Sequence, residues 1–155
     1  MERHTEELTI QLQARMLQLA TAPLEEAATE LVHLFIERHL LNPQLHKVLI
    51  QQVPKVGALG KLEELNRFYE RLFASYMELH RAELEVTDMS VSAYVLVQAV
   101  EALCHHAVLE RQDLLKSGKL EEQIVRLVIG YLKPSLLAQA QVAGRPLGRQ
   151  VKKSA

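Results

Sequence analysis

A single cysteine, Cys104, stands among 155 residues, which excludes an internal disulfide and any cysteine-based metal centre. A reducing, cytoplasmic setting is the natural expectation. No segment approaches the roughly 18 uninterrupted apolar residues of a membrane span. The charged, periodic start MERHTEELTI also lacks the basic-then-apolar order of a signal peptide, so no membrane partner is expected. Glycine-rich phosphate loops, a nucleophile elbow and an HExxH pair are missing as well, and with them the commonest routes to catalysis; the expectation is not an enzyme. Acidic residues end at Glu122, after which Arg126, Lys133, Arg145, Arg149, Lys152 and Lys153 make a basic tail. That leaves 12 basic against 19 acidic residues before it, a net of −7, which repels nucleic-acid phosphates.

Alternation of apolar and polar residues long enough for a strand is absent, whereas helical periodicity recurs along the chain, predicting an all-α antiparallel bundle of about six helices. Leu8, Leu12, Met16 and Leu19 mark one face of a helix over 2–20. Ala27, Ala28, Leu31, Phe35 and His39 mark a second, ending near Asn42-Pro43. A short third helix spans 44–52, and Pro54, Gly57 and Gly60 punctuate a loop over 53–60. The fourth, about 61–84, carries Leu62, Leu65, Tyr69, Leu72, Phe73 and Tyr76 on one face. Thr87 or Asp88 caps a fifth running to about Arg111, whose apolar residues surround its whole circumference and demand cover on every side. Ser117-Gly118 breaks the chain before a sixth helix, 119–132, ended by Lys133-Pro134. The domain is expected over 1–134, with 135–155 a basic extension disordered beyond about Ala143.

The last two helices, VTDMSVSAYVLVQAVEALCHHAVLERQDLL and LEEQIVRLVIGYLKP, resemble the C-terminal end of the tetracycline-repressor family of bacterial transcriptional regulators. The polar cap before an Ala-rich apolar run, the His after VEAL and the ending Tyr131-Leu132-Lys133-Pro134 carry the resemblance. ELVHLFIERHLLNPQLHKVLIQQVP, followed by a loop and an aromatic-bearing helix, is similar to the upstream part of the family's regulatory domain. The family's N-terminal helix-turn-helix has no counterpart here, and ERHTEELTIQLQ reads as the remainder of a cut connecting helix. The resemblance implies a regulatory domain of a repressor that binds a small apolar or amphipathic effector, forms a homodimer, and touches DNA only through a missing head. A free-standing interaction module that sequesters full-length regulators as heterodimers is the alternative.

Tyr94, Gln98, Glu101 and His105 form one polar stripe on the fifth helix; an internal network, a pocket wall and a subunit interface are all open to it. Without a partner a buried Glu101 would shift its pKa upward. Ser92, Leu96, Ala99, Leu103 and Ala107 alternate small and large on the opposite face. Leu96, Ala99, Leu103 and Ala107, with Ile124, Leu127 and Tyr131, are the candidate dimer contacts, because the resemblance implies a four-helix interface from the last two helices of each subunit. Phe35, Phe68, Tyr69, Phe73 and Tyr76, with Met16 and Met77, suit either a core or a cavity wall. The resemblance places the effector among them, with His39 the one histidine of that region expected to take part; a pocket of roughly 300 Å³ or more is the expectation. Cys104, His105 and His106 are neighbours on one helix and diverge by about 100° each, so no metal and no cofactor is expected from them.

Overall fold

The computed structural model describes residues 2–40 and 58–144. Its helices are α1 (Glu2–Leu19), α2 (Leu24–Leu40), α3 (Ala58–Leu79), α4 (Met89–Glu110), α5 (Gln112–Lys116), α6 (Lys119–Leu132) and α7 (Pro134–Val142), with one 3₁₀ turn at Arg81–Glu83. No strand occurs among the described residues, and the fold is the expected all-α bundle. The expected helix 44–52 and most of the loop after it lie outside the described residues.

Local chemistry sets the helix ends. Glu25 and Glu26 in the first turn of α2 and Arg38 and His39 in its last turn complement the helix dipole. Asp88 is the cap of α4: its Oδ1 accepts from the Val91 amide at 2.9 Å. Asp88→Ala should therefore lower the unfolding free energy by about 1 kcal/mol. A denaturation midpoint unchanged from the parent would show that this cap adds nothing. Gly118 precedes α6 with φ of 74°, a left-handed conformation that explains why a glycine breaks the chain here.

Three boundaries differ from the sequence reading. α3 begins at Ala58 and stops at Leu79, where the 3₁₀ turn takes over. The segment after Glu110 contributes the extra helix α5, which buries Leu115. Pro134 does not end the bundle: it sits in the first turn of α7, where its missing N–H costs nothing. α7 packs on α6, buries Ala140 and brings Leu137 within 3.2 Å of the position a Cβ on Gly130 would take. The packed body thus extends past 134, and the expected disordered end, 145–155, lies outside the described residues.

α4 is the axis of the packing, laid mainly on α3 and α2, while α6 packs chiefly on α2. Met89, Ala93, Leu96, Val97, Val100, Cys104, Ala107 and Val108 face inward, joined by Leu31, Phe35 and Ile36 of α2 and by Ile124, Val128 and Ile129 of α6. By length and composition α4 is the one described helix that passes as a membrane span. Half of that stretch is buried inside the protein and Glu101 sits in its middle, as befits a core helix.

Candidate functional site

Packing α2 against α4 places Arg38 and His39 opposite Glu101 and His105. Arg38 donates through one terminal nitrogen to Glu101 Oε1 and through the other to the Tyr69 hydroxyl at 2.8 Å. Its guanidinium also lies over the rings of Phe35 and Tyr69, 5.2 and 5.1 Å from their centroids. The second carboxylate oxygen of Glu101 faces His105 Nε2 at 3.2 Å and His39 Nε2 at 3.5 Å. His39 Nδ1 lies 2.6 Å from the Phe35 carbonyl oxygen, which can only accept, so this nitrogen carries the ring proton.

Burial by itself would raise the pKa of Glu101. The Arg38 guanidinium and the two imidazoles overcome it and hold the carboxyl well below its ordinary value. The upward shift expected of an unpartnered buried Glu is thereby reversed, because Arg38 and His39 reach it from a different helix. Burial likewise opposes the charge of Arg38, and Glu101 outweighs it. Burial and the nearby Glu101 push the Cys104 thiol up to about 12, which leaves it a core side chain rather than a nucleophile.

Beside this polar group, and sharing Phe35 with it, lies a small apolar cavity walled by α2, α3, α4 and α6, with Leu31, Phe73, Val97, Val100 and Val128 among its lining residues. Its free volume is about 10 Å³, hardly room for one water. Among the described residues, this cavity is far smaller than the expected drug-sized pocket. Phe35 packs tilted against Tyr69 and Phe73, with centroids 4.8 and 6.2 Å apart, and these rings fill the space. Met16 is buried but does not line the cavity. Tyr76 serves the opposite end of the bundle: its hydroxyl donates to the Ala22 carbonyl at 2.9 Å and its ring stacks on His80.

The polar stripe of α4 splits. Glu101 and His105 turn inward to α2, Gln98 donates to Glu70 of α3 at 3.1 Å, and Tyr94 is 56% exposed. Tyr94 instead borders a surface cleft of about 400 Å³ between α3 and α4, with Arg67, Glu70 and Arg71.

The opposite face also needs correction as an outward surface. Leu96, Ala107 and Ile124 are buried within the chain's own core and have no surface left to offer a partner. Ala99 is half-buried, and Leu103, Leu127 and Tyr131 are exposed. The uncovered stripe of α4 runs through Val91, Val95, Ala99 and Leu103: it keeps Ala99 and Leu103 of the expected face, with Val91 and Val95 in place of Ser92 and Leu96. Helical spacing alone cannot tell these two faces apart when both are apolar.

Residues 23–132, more than half of the chain, match the model of a family described as tetracyclin repressor-like, C-terminal domain. The chain belongs to this family. Comparison with curated proteins and comparison with solved structures each found no match. Domains of the tetracyclin repressor-like family are in general regulatory and non-enzymatic, bind small-molecule effectors and dimerise. In this tetracyclin repressor-like domain the matched segment runs from the turn before α2 to the end of α6. It contains the polar group, the cavity and the exposed apolar residues of α4 and α6.

Proposed function

We propose that this chain is the regulatory part of a transcriptional repressor, in which an amphipathic small molecule enters between α2, α3 and α4. DNA contact belongs to a helix-turn-helix head outside this sequence. The observation that carries the reading is the junction at Phe35, where an apolar cavity meets the buried Arg38–Glu101 group. A ligand with an apolar body and one polar end matches both sides of that junction. Since the cavity is closed, the ligand favours an arrangement in which α3 moves away from α2 and α4. Its differential affinity for open and closed arrangements is what couples effector to dimer geometry. The Val91–Leu103 stripe of α4 and Leu127 and Tyr131 of α6 supply the homodimer surface.

Octanoate, octylamine and octanol test the effector site as probes sharing one apolar body with three polar ends. At least one should raise the melting temperature of the parent by several degrees at saturating concentration. Val100→Phe, which fills the cavity wall, should remove that rise. No stabilisation by any of the three, or equal stabilisation of the filled variant, overturns the reading.

A further inference from the structure

We propose that His39, Glu101 and His105 form a binding site for one first-row transition ion of the zinc class, clamping α2 to α4. The three side chains offer ligand atoms that all lie within 4.8 Å of one another. Ligands held about 2.0–2.2 Å from a tetrahedral ion stand roughly 3.3–3.6 Å apart. The distances from Glu101 Oε2 to the two Nε2 atoms, 3.2 and 3.5 Å, are close to that edge.

The orientation of the His39 ring points the same way. With Nδ1 tied to the Phe35 carbonyl, Nε2 is the ring atom of His39 left to face Glu101 Oε2. A backbone carbonyl on the far nitrogen is also the usual way in which a metal-binding imidazole is oriented. Arg38 plays the matching part for Glu101, engaging Oε1 and leaving Oε2 toward the imidazoles. Its charge favours an anion or hydroxide in the fourth position. His39 and Glu101 are enclosed, whereas the His105 side chain is 20% exposed and gives an ion its way in. Two nitrogens and one carboxylate suit zinc, cobalt or nickel rather than magnesium.

This inference rests on the cluster alone and not on the effector reading. It departs from the expectation of no metal, which weighed only the neighbours of His105 on its own helix.

The full chain, freed of metal by chelation, should take up one Zn²⁺ or Co²⁺ per chain, with cobalt giving the visible absorption of a low-coordinate site. Zn²⁺ at about 100-fold over its Kd should raise the melting temperature by roughly 5–10 °C, and Mg²⁺ should not. His105→Ala should abolish the cobalt band and the shift, whereas His106→Ala, altering the exposed neighbour, should leave both intact. His33→Ala is the control for the His33, Glu37 and Glu121 contacts on the surface, both 3.0 Å. No uptake by the parent means that a proton occupies the place assigned to the ion. Either that result, or loss of uptake in His33→Ala or His106→Ala rather than His105→Ala, overturns the proposal.

Discussion

Replacing Arg38 by Ala should lower the unfolding free energy by about 3–5 kcal/mol and the melting temperature by on the order of 10 °C. The guanidinium neutralises a carboxylate whose side chain is only 3% exposed, and its loss leaves that charge in the interior with no full positive partner. The two imidazoles near Oε2 compensate partly, His39 being tied by its Nδ1 to a carbonyl and His105 lying at the edge. Part of the loss comes from the aromatic rings, because the guanidinium covers Phe35 and Tyr69. Arg38→Leu combined with Glu101→Leu should lose clearly less than the sum of the two single changes, since removing both charges removes the reason for the cost. Chemical denaturation of the parent, both singles and the double measures this coupling. A loss below about 1 kcal/mol for Arg38→Ala would mean that water reaches Glu101 freely and that the group is no buried network.

Leu103→Glu and Leu127→Glu should each convert a dimer into a folded monomer. These leucines are 40% and 44% exposed in the single chain, alongside Val91, Val95 and Tyr131, and association would cover them. A charge forced into such an apolar interface costs several kcal/mol when it cannot reach water. An obligate interface of this kind buries on the order of 2,000 Å² or more. Sedimentation equilibrium should give twice the chain mass for the parent and the single mass for the variants, with helical content unchanged. Ala107→Glu is a contrasting variant: Ala107 is 4% exposed within its own chain, so a charge there should unfold the protomer itself. A parent that remains monomeric at about 100 μM would remove the interface.

The helical reading was accessible from spacing because the inward residues of α2, Ala27, Ala28, Leu31, Phe35 and His39, follow one face strictly, and all are buried. The Asp88 cap was accessible for a similar reason, a short polar residue just before an apolar run. Glu101 and His39 were both singled out, though as members of different groups. Their union was not legible, nor was Arg38 singled out at all. Arg38 sits in the last turn of its helix, where a cation is ordinarily read as a solvated partner of the dipole. The one available signal was its position beside His39, next to the inward face of α2.

What the sequence by itself determined was the helical class, the core face of α2, the cap of α4 and the family pattern in its last two helices. Each depends on local periodicity or on residues close in the chain, where the 3.6-residue repeat fixes which side chains share a face. Tertiary structure decided the rest. On α4, apolar on nearly every face, only packing against α2 and α3 chose which stripe is core, burying Leu96 and Ala107 and leaving Val95 and Leu103 outside. It also set the charge state of Glu101, since an ion pair with Arg38 spans 63 residues of sequence and no local pattern encodes it. Aromatic residues alike in sequence were divided in the same way: Phe35, Tyr69 and Phe73 closed the cavity, while Tyr76 tied down the turn before α2. Periodicity states that a face is apolar; which helix lies against it depends on long-range packing, and that is where the site is made.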